Sequence, residues 1–367
     1  MSGTLGLEKA APAGQPGAVS WSVMSSGRWI LTVLGLSGAS LLVMGWCLQF
    51  GVERIGPGAA LRILSAAIRQ PGTGMEAMGS TAVILIHVRL PRILLAFMVG
   101  ASLASVGVGL QALLRNPLAD PYVLGISSGA ALGAGLAILF GLGTTALAFS
   151  ALPLCAFAGG LLSILVVYRM ASVYGYLPVH TLLLAGVILN AIFSALIMFV
   201  TSIMDPNRSF GMMAWLMGSL TAPNYPALMV VFGYLALGML ALFGQAKSLN
   251  ILTLGEETAR SLGVEVEGVK RVVFFTSALL TGAVVSVSGM IGFVGMVIPH
   301  AMRMISGADH RLLFPASALV GGMFLVAADT LARTLMAPAE IPVGIVTALA
   351  GGPFFIYLLM SRKGGLA

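Results

Sequence analysis

Arg89-Leu-Pro-Arg92 sets two guanidinium groups three residues apart around a proline, at the mouth of a hydrophobic stretch. The chemistry open to such a pair is recognition of carboxylates, because each guanidinium offers a planar fork of donors. Charge this close to lipid is costly and marks function. Beyond the stretch, Asn116-Pro-Leu-Ala-Asp120-Pro-Tyr-Val-Leu-Gly125 breaks into backbone punctuated by Pro and Gly. Irregular backbone at membrane depth is tolerated only where it is buried in protein or lines a cavity. The two features point to a transport path.

No motif for covalent chemistry accompanies them. There is no Gly-x-x-x-x-Gly-Lys-Ser/Thr phosphate loop and no His-Glu-x-x-His. His87, His180, His300 and His310 are scattered, without a second ligand at metal-like spacing. Cys47 and Cys155 sit in separate apolar stretches and read as core, and the 21 methionines read as adaptable packing. The expectation is a transport subunit without an enzymatic site, cofactor or metal of its own, whose energy comes from elsewhere.

The elements that must position these residues are membrane helices. The chain is 58% hydrophobic and only 8% charged, with mean hydropathy +1.02, whereas soluble domains carry roughly a quarter charged residues. The net charge of +7 is spread over short loops, which suits a membrane surface and excludes a nucleic-acid patch. Spans of about 20 apolar residues are expected near 29–50, 90–114, 123–141, 147–170, 181–203, 226–244, 272–289, 291–305, 312–336 and 343–360. The 291–305 span is short and contains Pro299, so a broken helix is expected there. Residues 1–28 read as a disordered cytoplasmic tail without a signal-peptide pattern, 29–362 as one permease domain and 363–367 as a short tail.

Ten spans put both termini on one side. With that side inside, Lys9, Lys247, Lys270 and Lys363 are cytoplasmic, as are Arg115, Arg169, Arg260, Arg271, Arg303, Arg311 and Arg362. Segment 53–92 violates the rule by placing Arg54, Arg62, Arg69, Arg89 and Arg92 outside. A weak internal repeat is also present. Arg89, Gly100-Ala101, Gly107 and Pro117 align with Arg271, Gly282-Ala283, Gly289 and Pro299, and Pro153 and Gly159-Gly160 align with Pro315 and Gly321-Gly322. Spans 2–5 and 7–10 thus form an inverted repeat, an arrangement many transporters use.

The longest cytoplasmic loop, 246–271, predicts a short amphipathic helix from about Gly255 to Leu262, capped by Gly263. Glu256 and Glu257 in its first turn complement the helix dipole. A second short helix is expected to lead into the seventh span. The bland reading is a solvated connection, but Glu257-x-Ala259-x-x-x-Gly263 resembles the coupling motif of ABC importer permeases.

That resemblance extends along residues 30–362. Arg89-Leu-Pro-Arg92, Asn116-Pro-Leu-Ala-Asp-Pro, Leu182-Leu-Leu-Ala-Gly186, Gly292-Phe-Val-Gly-Met-Val-Ile-Pro-His300, Asp309-His-Arg311, Ala328-Asp329-Thr-Leu-Ala-Arg333 and Glu340-Ile-Pro-Val-Gly344 occur in the family's order. The chain resembles the permeases of the iron-siderophore, haem and vitamin B12 family of ABC importers, the ten-span type II class. The resemblance implies an all-α polytopic permease in a bacterial or archaeal cytoplasmic (inner) membrane. It implies a homodimer with a second permease copy, two cytoplasmic ABC ATPase subunits and a periplasmic or lipid-anchored substrate-binding protein as partners.

The resemblance also assigns roles. Arg89, Arg92 and Arg333 match positions that receive glutamates of the binding protein; snorkelling to headgroups is the competing reading, and Arg333 could instead pair with Asp329 one turn earlier. Gly255, Glu256, Glu257, Ala259, Arg260 and Gly263 match the ATPase-coupling segment. Asn116 and Leu118 in one loop, and Val179 and His180 in another, match the cytoplasmic gate. Val179 and His180 depart from the small hydroxyl residues that the resemblance implies at this second site, and a lone loop histidine is more often just solvated. The rival reading is an ion-coupled secondary transporter, for which Asp329 and Glu340 are the available intramembrane carboxylates.

Overall fold

The computed structural model describes residues 26–69, 79–142, 145–146, 149–221 and 224–363. The segment read as an N-terminal tail lies outside the described residues up to residue 25, and Ser26–Arg28 already belong to helix α1, Ser26–Cys47. Residues 364–367 of the expected C-terminal tail also lie outside them, whereas Lys363 closes the last helix. Among the described residues the regular structure is helical apart from a two-residue antiparallel pair, Thr145–Ala146 with Phe149–Ser150, and one isolated bridge between Val173 and Tyr176.

Ten helices answer to the ten expected spans. They are α1, α4 (Leu90–Leu113), α5 (Ile126–Leu139), α6 (Ala151–Ala171), α7 (Val179–Ser202), α9 (Tyr225–Gly244), α12 (Val266–Ser288), α13 (Val294–Ser306), α14 (His310–Thr334) and α15 (Val343–Lys363). Seven are long and apolar enough to cross a membrane alone, counting α4 with the helical turns before it. The second span starts ten residues earlier than expected: α3 (Ser80–Val83) runs through a widened π turn, Ile84–Arg89, into α4. That turn directly precedes Pro91, whose ring removes the donor to the carbonyl of residue 87.

Four helices lie between spans. α2 (Pro57–Arg69) and α8 (Pro206–Leu216) follow the first and fifth spans and were not expected. The signal for α8 was present, since Asp205 caps it by accepting from Arg208 N at 3.1 Å and Pro206 opens it. α10 (Ala246–Leu252) and α11 (Glu256–Ser261) form the loop expected to be cytoplasmic. The separate helix expected before the seventh span does not exist. Residues 266–271 are the first turns of α12 itself, because Val266, Val269 and Val273 continue one buried stripe at helical spacing.

The core is built around α4, in which every residue from Met98 to Leu113 is buried. Two glycines allow this. A Cβ on Gly100 would strike the carbonyl of Gly321 in α14, and one on Gly107 would strike that of Gly295 in α13. The repeat explains a second contact. Gly282 of α12, the counterpart of Gly100, lies against Gly160 of α6, the counterpart of Gly322. Each half therefore packs its first long helix on a helix of the other half.

The expected break at Pro299 is absent, and α13 is one continuous helix. Pro299 leaves the carbonyl of residue 295 without its helical donor. Gln111 of α4 supplies donors instead, to Gly295 O at 3.4 Å and Met296 O at 3.2 Å. The same arrangement recurs at Pro315 in α14. The carbonyl it frees, Arg311 O, accepts from Trp29 Nε1 of α1 at 3.0 Å.

Candidate functional site

The three arginines expected to project outward toward a partner turn inward. Arg89 is 4% exposed and donates to Leu48 O and Gln49 O at 3.2 Å each, and to Glu53 O. Arg333 is 5% exposed and donates to Cys47 O at 3.2 Å and Thr330 Oγ1 at 3.3 Å. Arg333 thus serves the last carbonyl of α1, at the negative end of its dipole, and Arg89 serves the carbonyls of the turn that follows α1. A Cβ on Gly51 would collide with the Arg89 guanidinium, so the α1 exit loop is shaped around that charge.

Arg92 makes the third set of contacts. Its Nη2 and Nε donate to Asp329 of α14 at 2.9 and 3.1 Å, and its Nη1 donates to both Glu340 oxygens at 3.1 and 3.0 Å. Asp329 is fully buried and also lies 3.6 Å from Arg333 Nε, the pairing foreseen as the alternative for Arg333. Both carboxylates considered as ion carriers are thus tied to arginine, which removes the feature that favoured an ion-coupled carrier. Glu340, 52% exposed in its side chain, is the part of this cluster that faces outward.

In the loop expected to be cytoplasmic, α11 is held by an ionic frame. Its first turn carries Glu256 and Glu257, and Gly255 and Gly263 flank it at φ 120° and 81°, conformations that glycine adopts without a Cβ clash. Ala259 is buried, while Glu257, Arg260, Gly263 and the neighbouring Leu254 and Leu262 are exposed. Lys270, at the start of α12 and only 4% exposed, donates to Glu256 at 2.8 Å and Glu267 at 3.1 Å. Arg260 lies 3.6 Å from Glu267 and 3.8 Å from Glu256. The sequence singled out Glu256 and Arg260 but not Lys270 and Glu267. Glu267 three residues ahead of Lys270, at helical spacing, was the legible part of the signal.

The frame reaches both expected gate segments. Glu267 accepts from Leu177 N at 2.9 Å, just ahead of Val179 and His180. Arg271 donates to Gly175 O at 2.9 Å in the same connection. On the other side Arg115 lies 4.0 Å from Glu256 and donates to Leu252 O at 3.4 Å, next to Asn116 and Leu118. Val179 and His180 are not loop residues: Pro178 precedes α7 and Val179 opens it, since proline fits the residue ahead of a helix. His180, Asn116 and Leu118 are exposed, and Asn116 Oδ1 closes its own turn by accepting from Leu118 N at 2.9 Å.

Beyond Asn116, Asp120 caps a 3-10 turn, Pro121–Leu124, by accepting from Tyr122 N at 2.8 Å. Burial pushes the Asp120 carboxyl up to about 6, against the lowering effect of that hydrogen bond. The turn docks on α7 where Gly186 lacks a Cβ, and Asn190 Nδ2 donates to Tyr122 O at 2.9 Å while Ser128 Oγ donates to Asn190 Oδ1. Asn190 and Ser128 were missed because single polar residues inside apolar runs carry no periodic signal. The opposite face of α7 is apolar and exposed, with Leu184, Val187, Ile192 and Phe199 uncovered.

Known proteins share this architecture. The model of the FecCD transport family matches residues 39–361. The cobalamin import permease of Halobacterium salinarum is 43% identical over 308 residues, 84% of this chain and 80% of that protein. The hemin transport permease of Yersinia pestis is 45% identical, over 76% and 84% of the two chains. The iron(3+)-hydroxamate import permease of Bacillus subtilis is 36% identical, over 86% and 92%. A solved chain of an inward-facing ABC transporter of the metal-chelate type superposes with a TM-score of 0.75 at 33% identity, over 90% of this chain and 99% of that one.

Proposed function

This chain belongs to the FecCD transport family and is the membrane-spanning permease subunit of an ABC importer, and from that premise we propose that it moves a bulky metal chelate inward by alternating access. The cargo class is a ferric siderophore, haem or a corrinoid such as vitamin B12, the classes named for its relatives. Two copies pair in a bacterial or archaeal cytoplasmic membrane with both termini inside, and the exposed apolar face of α7 borders the path between them. Two cytoplasmic ATPase subunits engage α11 through Glu257, Leu262 and the Gly255–Gly263 segment.

The ionic frame around Lys270 carries this reading. It links the ATPase-facing helix to the connections that hold Asn116 and Leu118 on one side and Val179 and His180 on the other. Movement of α11 on ATP binding then displaces both gate segments together. At the outer face a substrate-binding protein docks with glutamates on the arginine cluster. Arg89 and Arg333 would have to exchange backbone acceptors for that contact, so Arg92, beside the outward Glu340, is the strongest of the three.

The test is uptake into vesicles holding the permease with its co-purified ATPase and supplied with binding protein. Labelled cobalamin, haemin and a ferric hydroxamate are offered in turn. ATP-dependent uptake of one class is expected, lost on Glu257→Arg. Uptake driven by an ion gradient without ATP overturns the proposal.

A further inference from the structure

Two cavities adjoin at the cytoplasmic ends of α1, α9 and α14. The first, about 550 Å³, is lined by Trp29, Phe243, Lys247, Asp309 and Arg311. The second, about 500 Å³, runs into the bilayer between α1, α4, α9 and α14, walled by Phe97, Met239, Phe314, Pro315 and Ala318. Each lies within the roughly 300–1,000 Å³ of ordinary ligand sites. Trp29 and Phe243 line both, so the polar chamber opens directly onto the apolar slot.

The two chambers differ in chemistry as the two ends of a lipid do. The slot offers almost only carbon. At the mouth, Arg311 is neutralised by Asp309, with Nη2 donating to Oδ2 at 2.6 Å. Lys247 is exposed and has no ion pair among the described residues, which leaves the chamber one uncompensated positive charge. Trp29 divides the chambers and is fixed there, because its indole N–H donates to the Arg311 carbonyl that Pro315 frees. Tryptophan is the side chain suited to the boundary between headgroup and acyl layers.

We propose that this pair of cavities binds one anionic glycerophospholipid of the surrounding bilayer, its phosphate on Lys247 and one acyl chain in the slot beyond Trp29. The site is separate from the transport path and from the ATPase-facing α11, and it holds whichever chelate is carried. Its occupant braces α1, the most weakly buried of the long helices, against α9 and α14.

The test is native mass spectrometry of the full-length permease in its assembled transporter, released from nanodiscs of equal parts phosphatidylglycerol and phosphatidylcholine. The wild type should retain phosphatidylglycerol in preference to phosphatidylcholine. Lys247→Glu should reduce that preference by about fivefold or more, the factor one lysine contributes at an anionic surface. Ala318→Phe should fill the slot and abolish retention of either lipid. Lys247→Glu is a surface change, so it decides the matter even if Ala318→Phe fails to fold. Equal retention of the two lipids by the wild type, or an unchanged preference in Lys247→Glu, overturns the proposal. Retention that appears only after deletion of residues 1–25 would make the chain's own N-terminal segment the occupant and overturn it equally. Loss of transport with lipid retention intact would count against the transport reading alone.

Discussion

Asp120 and Arg92 show how single charges are used here. A carboxyl raised to about 6 by burial contributes its full stability below the ordinary carboxylate range near 4, and loses it as pH climbs through 6. Asp120→Asn keeps a side-chain acceptor for Tyr122 N and removes the titration. The wild type should therefore melt at progressively lower temperature between about pH 4 and pH 7, while Asp120→Asn stays level over that window by comparison. Arg92→Met leaves buried Asp329 with only the 3.6 Å contact to Arg333, and should cost about 3–5 kcal/mol as breaking a buried pair does. The readout is the melting temperature of the purified permease, with partial recovery in Arg92→Met/Asp329→Asn. A residue used solely for docking would weaken binding-protein affinity and leave the melting temperature alone. The sequence exposed the Arg89-Leu-Pro-Arg92 motif but not its direction. The acceptors of Arg89 are carbonyls of the turn after α1, some 40 residues upstream, and backbone acceptors leave no trace in residue type.

At the scale of elements, the spans were legible because hydrophobic length is a strong signal, and the repeat was legible in Gly and Pro spacing. Helix α2 was not, because a short amphipathic segment between spans reads as a loop when the eye follows hydropathy alone, and the Asp205-Pro206 start of α8 was passed over for the same reason. The continuity of α13 was also hidden, since the donor that compensates Pro299 sits on α4, nearly 190 residues away. The ionic frame is the element-level device with the clearest consequence. Lys270→Met removes the charge between Glu256 and Glu267, frees α11 from α12, and should lower uptake per ATP hydrolysed while ATP hydrolysis itself persists. Glu256→Lys with Lys270→Glu, which restores opposite charges across the same gap, should recover part of the loss. An unchanged transport-to-hydrolysis ratio in Lys270→Met would show that α11 drives the gate by another route.

For the whole molecule, the apolar face of α7, with Leu184, Val187, Ile192 and Phe199, is exposed in the single chain, and the proposed pairing of two copies sets it along the path. Light scattering of the detergent-purified permease should give two copies per particle, and one copy per particle across mild detergents would argue against the paired path. Scale also bears on how the chain is made. Helix α4 is the most buried span, yet its principal partners α12, α13 and α14 are the last third of the sequence, because each half packs on the other. At roughly 5–20 residues per second, α14 leaves the ribosome on the order of ten to forty seconds after α4. Through that interval the small-residue face of α4, with Gly100 and Gly107 uncovered, must be sheltered by lipid, by the insertion machinery or by a chaperone. Slow-codon pausing or truncation before α14 would therefore leave an inserted but unsealed chain, the form that membrane proteolysis is equipped to remove.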